Sequence, residues 1–463
     1  MGKTVITYGT FDLFHLGHQR LLEHARELGD RLIVGITSDA FDLERGKLDV
    51  KQPLIERIHA VEASGLADEI VIEEFKGQKI EDIKKHQVDV FAIGSDWDGK
   101  FDYLKEYCEV VYLPRTQGIS STQLRNKSSE PLRLACLGIG EFTDRVMREC
   151  AAIHECHITG KYQTIGDEVY RLDENEYPMA KVSFDELAQD NHAVYICAKA
   201  LDRGALVRHA IDAGMSVVCE GPIALSKKEA EDCYRVAESR NLVITEMVTV
   251  LYLPGFIRLK LLLESGLIGE IKDIDASYSL VDKDIDYKDR FDGSIYRMAS
   301  RSLLPAMSLL GTEYVDAHLI CGYKDAFCTW TKCTITYKTA SATLKTGRGT
   351  KTEGDMAITG TDGYVYVPAP WWLPEYFEVR GEDLRNTKKY YYEYAGEGQR
   401  YFLRAFADWC LDYESNAEII RENNVMEISI VELIERLHKG DCLQLEDNSE
   451  RFGGGEQVNE VRE

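Results

Sequence analysis

The chain has 463 residues, room for about three ordinary domains or two large ones, and its 44% hydrophobic content is ample for sizeable cores. Its 55 Lys and Arg stand against 79 Asp and Glu, a net charge of −24. That balance excludes a general nucleic-acid binder, since a phosphate backbone repels such a surface, but leaves room for a nucleotide in a local basic pocket.

The twelve cysteines are scattered with no CxxC pair, the pattern of reduced thiols in a cytosolic protein. The opening "MGKTVITYG" runs straight into a strand-like segment with no signal-peptide pattern. No apolar run reaches the ~18 residues of a membrane span. A cytoplasmic globular chain without membrane insertion is expected.

In chain order, "KTVITYG" is a β-branched strand and "HQRLLEHARELG" has helical spacing closing on Gly29. "RLIVGITSD" is a second strand, and "PLIERIHAVEASG" a helix with Pro53 near its first turn. "EIVIEE", "KIEDIKKHQ", "VDVFAIGSD" and "CEVVYLP" continue as strand, helix, strand and strand. Apolar strands alternating with helices predict a parallel α/β sheet covered on both faces. The polar stretch "RNKSSEPL" (125–132) interrupts the pattern and ends a first domain, 1–128.

The alternation then restarts. "LRLACLGIGEFTDRVMRECAAI" reads as strand, Gly-rich turn and helix. "HAVYICAKA", "MSVVCEGP" and "LVITEMVTV" are further strands of a Rossmann-like domain, 131–246. From about Glu270, long alternating segments such as "AFCTWTKCTITYKTASATLKT" predict a mostly antiparallel sheet. Helices return at "QRYFLRAFADWCLDYES" and "VMEISIVELIERLHKG", giving an α+β domain over 247–445. The polar, Gly-rich tail 446–463 is expected to be disordered.

The stretch "TYGTFDLFHLGH" puts His15 and His18 where a strand gives way to a helix beginning near His18. A helix N-terminus carries free N–H groups and partial positive charge, so it attracts phosphate. Two imidazoles beside it add donors for charge developing on a phosphoryl oxygen, and Gly17 lets a bulky anion approach the backbone. No Ser or Cys nucleophile is needed if the incoming group is itself a phosphate; catalysis is then positioning plus electrostatics. A lone histidine at such a junction is usually structural, but the HxGH spacing behind "GTFD" argues for chemistry.

A second constellation, "LPRTQGISSTQLR", supplies Arg115 as a fixed cation and Gly118 for a tight turn. Ser120, Ser121 and Thr122 follow as cap hydroxyls. An ordinary capped helix explains the serines but not Arg115 and Thr116 before them.

On these motifs, with "LLEHARELGD", "FAIGSDWDGKFDYLK" and "CEVVYLPRTQGISST", residues 1–127 resemble the glycerol-3-phosphate cytidylyltransferases of the small nucleotidyltransferase superfamily. The resemblance implies CTP and a polyol phosphate as substrates, Mg²⁺ accompanying CTP, and pyrophosphate release. CDP-glycerol for teichoic-acid-like or capsular polymers and a homodimer are implied too.

It further implies that His15 and His18 stabilise the α-phosphate and that Gly9, Thr10 and Phe11 line the triphosphate. Arg115, Thr116, Ile119, Ser120, Ser121 and Thr122 would grip phosphates, and Asp96 and Trp97 would lie on the cytidine side. Asp12 and Asp39 shape the site, and no acidic residue is assigned to the metal. Lys47 matches a basic position near the substrate phosphates; its loop differs by about one residue in length, so Arg45 and Lys51 compete with it.

Over about 132–437, "VYICAKALDRGALVRHAIDAGMSVVCEGPIALSKKEAEDC" and "LKLLLESGLIGEIKDI" resemble the Gfo/Idh/MocA oxidoreductases. There a Rossmann domain, with NAD(P) as the cofactor, precedes an open sheet. Gly138-x-Gly140 keeps two of the fingerprint glycines, with Thr143 at the third, and no Asp or Glu closes the second strand.

The family's Glu-Lys-Pro reads Glu220-Gly221-Pro222, its Thr-Pro-Asn reads Ala198-Lys199-Ala200, and its downstream histidine aligns with Arg203. Its Asp and His four apart align with Arg297 and Arg301. Glycine cannot relay a proton and arginine is a poor base, so lost hydride transfer is favoured.

Three alternatives stay open. Lys199 replaces the lysine in a bifunctional reductase and cytidylyltransferase; Arg203, Arg297 and Arg301 form a phosphate site; or those arginines are ordinary surface groups. A non-enzymatic nucleotide sensor is a further reading, for which the HxGH motif is an excess.

Overall fold

The apolar runs of the first 113 residues pair in a computed structural model as β1 (Thr4–Gly9), β2 (Arg31–Thr37), β3 (Glu69–Glu73), β4 (Val90–Gly94) and β5 (Glu109–Leu113). The structure describes residues 2–14, 16–44, 50, 52–113, 130–166, 168–281, 285–392 and 394–445. It divides into two units, Met1–Glu130 and Pro131–Glu463.

In the first unit the strand order is β3-β2-β1-β4-β5, with every neighbouring pair parallel. Helices α1 (Leu16–Arg26), α2 (Asp39–Glu44), α3 (Leu54–Ala63) and α4 (Gln78–Lys85) connect the strands. β2 is buried from Leu32 to Thr37, as a strand covered on both faces must be. The order of strand addition switches from one side of β1 to the other at the β1–β4 pair. In open α/β sheets, ligands bind at that point, beyond the carboxyl ends of the strands. Helix α1 begins at Leu16, two residues before the expected start, so His18 lies in its first turn.

The second unit opens with β6 (Leu132–Leu137), α5 (Glu141–Cys150), β7 (Cys156–Ile165), β8 (Glu168–Leu172), β9 (Pro178–Val182) and α6 (Phe184–Asp190). β10 (Ala193–Ile196), α7 (Ala200–Asp212), β11 (Ser216–Cys219), α8 (Lys227–Glu238) and β12 (Ile244–Glu246) follow. The strand order is β12-β11-β10-β6-β7-β8-β9. β12 through β7 run parallel, and β8 and β9 extend the sheet antiparallel. Those two strands were not legible in the sequence: four of five β9 residues are exposed, so it has no apolar alternation.

A nine-stranded sheet follows, in the order β20-β19-β18-β17-β13-β16-β15-β14-β21. In chain order its elements are α9 (Pro254–Glu264), β13 (Ile271–Leu280), α10 (Ser294–Leu310), β14 (Asp316–Lys324), β15 (Phe327–Thr336), β16 (Ser341–Arg348) and β17 (Met356–Gly360). They continue with β18 (Tyr364–Val367), β19 (Tyr376–Arg380), β20 (Lys388–Tyr391), α11 (Gln399–Leu411), α12 (Tyr413–His438) and β21 (Leu443–Leu445). Its pairs are antiparallel except β13 with β16 and β14 with β21.

Helix α12 belongs to both cores of this unit. Val431 packs into the apolar cluster of the seven-stranded sheet, while Ile430, Leu433 and Ile434 pack into that of the nine-stranded sheet.

Two buried carboxyl groups meet where α12 crosses β12. Glu427 is fully buried and accepts from Thr245 Oγ1 (2.9 Å), the Glu246 amide (2.9 Å), Asn423 Nδ2 (2.6 Å) and the Tyr234 hydroxyl. Glu246 accepts from the Ile223 amide at 2.9 Å. Burial, and then the negative charge of Glu427, push the Glu246 carboxyl up to about 8 from 4.5; burial likewise raises Glu427.

The folded unit therefore binds a proton here more tightly than the unfolded chain. The associated stability is full below pH 4.5 and is lost as pH rises through about 8. Calorimetric melting of the second unit should show Tm falling from pH 5 towards pH ~8.5, and Glu246→Gln should flatten that slope. Equal slopes in both proteins would remove the pair as the cause.

Candidate active site at the end of the first sheet

Arg57 on α3 is fully buried, and it organises the turn that follows β1. Its Nη1 donates to the carbonyl oxygens of Thr10 (2.7 Å) and Thr37 (2.8 Å), at the ends of β1 and β2. Nη2 donates to Asp39 Oδ1 at 2.5 Å and Nε to the Gln52 carbonyl at 3.1 Å. The buried Asp42 carboxylate lies 3.5 Å from Nη1 and accepts from Thr10 Oγ1 at 3.2 Å.

Gln52 closes the other side of the turn: its amide donates to Asp12 Oδ1 (2.9 Å) and its Oε1 accepts from the Leu13 amide (2.6 Å). Asp12 and Asp39 thus build the turn, Asp39 also accepting from the Leu54 amide at 3.1 Å. The network holds Phe11 and Leu13 at φ +54° and +49°. Non-glycine residues pay on the order of 1 kcal/mol each for that conformation.

The turn borders a cleft of about 650 Å³ at the β1–β4 switch point, lined by Gly9, Thr10, Phe11, His18, Gly94 and Trp97 among others. The His18 ring meets Phe11 edge-on at 5.3 Å and Phe14 at 5.6 Å, between centroids, so two aromatic rings set its orientation. Trp97, in the short helical turn after β4, is 44% exposed, with Lys100 Nζ 5.0 Å from its ring centroid. An indole half open to a cleft is a stacking surface for a planar base. Asp96 immediately precedes it in the same turn.

The opposite wall carries residues that no motif announced. Tyr8 donates to Asp82 Oδ2 at 2.7 Å; burial, and then the Asp82 charge, raise its phenol well above the usual range. Gly35 fixes the ring's place, since a Cβ there would stand 2.2 Å from Tyr8 Cδ1. Lys79, in the first turn of α4, pairs with Glu73 at the end of β3, and both are buried. Lys79 Nζ lies 4.4 Å from the Tyr8 ring centroid and 5.6 Å from that of Phe101. In the sequence, "KIEDIKKHQ" reads simply as a helix, and the fold buries its first lysine.

His15, Arg45, Lys47, Lys51, Arg115, Thr116, Ile119, Ser120, Ser121 and Thr122 lie outside the described residues, as does the tail 446–463. Among the described residues no group of three or more His, Cys, Asp or Glu side chains could hold a metal ion, and no helix is long and apolar enough to cross a membrane.

In the second unit, Gly138 follows the end of β6 and Gly140 caps α5 with no side-chain cap. Arg297 and Arg301 both lie over the Phe142 ring, 5.5 and 5.0 Å from its centroid, and each of the three arginines has its own protein partner. Arg203 is buried and donates to the carbonyls of Pro222 (2.5 Å) and Ala198 (2.8 Å). Arg297 is partly exposed and pairs with Asp292 at 3.2 Å. Arg301 pairs with Glu220, which also accepts from the Tyr195 hydroxyl at 2.8 Å. Burial works against the Arg301 charge, but Glu220 holds the guanidinium ionised. Lys199 is 72% exposed at its side chain and pairs with Asp289 at 2.8 Å.

A five-stranded parallel sheet with a switch-point cleft and a helix N-terminus beside it defines a nucleotide-handling α/β unit. Residues 6–127 match the cytidylyltransferase-like family, and residues 132–247 the NAD-binding Rossmann fold of the Gfo/Idh/MocA oxidoreductase family. The glycerol-3-phosphate cytidylyltransferase of Bacillus spizizenii is 55% identical over 123 residues, 27% of this chain and 95% of that protein. That of Bacillus subtilis is 48% identical over 130 residues, 27% of this chain and 96% of its own length.

A 3-ketoreductase from Actinomadura kijaniata, solved with NADP and TDP-benzene, shares the fold at TM-score 0.58 and 20% identity, over 68% of this chain and 99% of that one. A biliverdin reductase from Synechocystis does so at TM-score 0.53 and 15% identity, over 67% and 99%. The chain is a nucleotidyltransferase. It belongs to the cytidylyltransferase-like family, of the glycerol-3-phosphate cytidylyltransferase type, joined to a Gfo/Idh/MocA domain.

Arg57 is the residue to test for the turn. Arg57→Met leaves Asp42 buried without its cation and should cost the first unit about 3 kcal/mol in denaturant unfolding. Arg57→Lys keeps the charge but cannot span the same acceptors; turnover should fall on the order of 100-fold with the fold retained. A lysine variant with normal turnover would deny the turn its dependence on the guanidinium.

Proposed function

We propose that the first unit transfers CMP from CTP to sn-glycerol 3-phosphate, giving CDP-glycerol and pyrophosphate. The observation that carries this is the 55% identity over 95% of a glycerol-3-phosphate cytidylyltransferase, in a unit whose cleft sits at the switch point. An oxygen of the acceptor phosphate attacks the α-phosphorus, the bond to the β-phosphate breaks, and pyrophosphate leaves. No protein nucleophile takes part. His18, on the first turn of α1, donates towards the α-phosphate oxygens as charge builds there, and the turn after β1 brings backbone to the triphosphate.

In the same reading His15 assists His18, and Lys47 and Arg115 hold phosphates with Thr116, Ile119, Ser120, Ser121 and Thr122. Asp96 and Trp97 receive the cytosine. Magnesium would enter on the phosphates of CTP and neutralise their charge; Asp12 and Asp39 are already bonded to Gln52, Leu54 and Arg57. A cytoplasmic homodimer supplying an activated polyol for a wall or capsular polymer completes the proposal.

For the second unit we infer a dehydrogenase frame without hydride transfer. A Cβ on Gly221, where the family has its lysine, would stand 2.1 Å from Glu246 Oε2 and 2.2 Å from Ser300 Oγ, so that space is already filled. The first turn of α5 carries Glu141 and Asp144, which oppose a pyrophosphate. Lys161, the nearby cation on β7, is taken up by Asp144 (2.7 Å) and Glu176. These residues do not fit NAD(P) chemistry. The alternative, a reductase that makes another polyol phosphate for the first unit to activate, relies on Lys199, whose exposed pairing with Asp289 counts against it.

Purified full-length chain should release pyrophosphate from CTP with glycerol 3-phosphate, and His18→Ala should lower kcat by roughly 100- to 1000-fold while the melting curve stays near normal. Absence of pyrophosphate release with every polyol phosphate tried would end the transferase proposal. Calorimetry with NADH and NADPH should give no heat of binding. Tight binding followed by substrate-dependent oxidation would restore the reductase.

A further inference from the structure

The Glu73–Lys79 pair lies in the wall of the first unit's cleft, with a purpose that the phosphate chemistry does not supply. Side-chain exposure is 4% for Glu73 and 9% for Lys79. Taking two charges out of water costs more than their attraction reliably returns, so a pair in this position needs a reason other than stability.

Its surroundings suggest one. Lys79 rests on the faces of Tyr8 and Phe101, so its ammonium has little freedom to move, and Glu73 is held against it. Both acceptor and nucleotide bring phosphate to this cleft. A carboxylate in its wall repels phosphate and accepts hydrogen bonds from neutral hydroxyl groups. The phosphate end is drawn towards the N-terminus of α1 and His18. What remains of a polyol phosphate is a short carbon chain bearing hydroxyls, and the Tyr8 and Phe101 rings offer it apolar walls.

We propose that Glu73, held in place by Lys79, is the residue that reads the hydroxyl groups of the acceptor, and so sets which polyol phosphate the enzyme accepts. This rests on the transferase reading given above and adds the acceptor specificity to it. Glu73 acts as a hydrogen-bond acceptor for a substrate hydroxyl, with no proton transferred. Lys79, paired with Glu73, fixes where the carboxylate sits.

The test compares glycerol 3-phosphate with 3-hydroxypropyl phosphate, which lacks the middle hydroxyl, in the full-length chain. A hydrogen bond from substrate to a buried carboxylate should give the wild type a roughly 10- to 100-fold preference in kcat/KM for glycerol 3-phosphate. In Glu73→Met, which has no oxygen to accept the hydroxyl, that preference should fall to about threefold or less, through KM for the acceptor, with KM for CTP within about twofold of wild type.

Because Glu73→Met leaves Lys79 buried without this carboxylate, the double variant Glu73→Met/Lys79→Met, which removes both charges together, serves where the single variant does not fold. It should show the same loss of preference. An undiminished preference in a folded variant overturns the assignment of Glu73 while leaving the transferase intact. Failure of the wild type to release pyrophosphate with either acceptor, or with any other polyol phosphate, overturns the transferase reading itself.

Discussion

One guanidinium holds the first unit's chemistry in place. Arg57 reaches the carbonyls that end β1 and β2, the two aspartates of α2 and the backbone at Gln52. Remove it, and the turn that bears Phe11 and faces His18 has no reason to keep two non-glycine residues in the left-handed region. The cost of burying a full charge is offset because nearly every donor has a fixed acceptor. The turn's shape is thus decided by a residue 47 positions beyond Thr10.

That distance explains what could and could not be read in the sequence. The contiguous stretch from Gly9 to His18 announces a phosphate-handling turn, because strand, turn and helix N-terminus are neighbours in the chain as well as in space. Trp97 entered only through the family resemblance carried by "FAIGSDWDGKFDYLK". Arg57, Tyr8, Glu73 and Lys79 were not legible, since β1, β3, α3 and α4 must first be assembled before they share a wall. Periodicity gave the five parallel strands of the first unit, yet it passed over β8 and β9, whose mixed, exposed residues carry no pattern.

The second unit makes the opposite case. There the residue types suggested sites, and the geometry gives each cation a partner of its own. Arg203 ties two loop carbonyls, Arg297 answers Asp292, and Arg301 answers Glu220. Each is a cation with a local partner, and an anion arriving there would have to displace a carboxylate or a carbonyl first. Helix α12 meanwhile places Val431 in one core and its neighbours in the other, so both sheets of this unit share one central helix.

Gly221 constrains any substitution at its own position. Its missing side chain is not an empty place: the Glu246 and Ser300 oxygens stand where its Cβ would be. A lysine placed at this position would meet a clash before it met any benefit. Glu246 would have to shrink or move first, and its amide donates to Glu427 while its Oε1 accepts from the Ile223 amide. A side chain at position 221 therefore needs compensating changes among its neighbours as well.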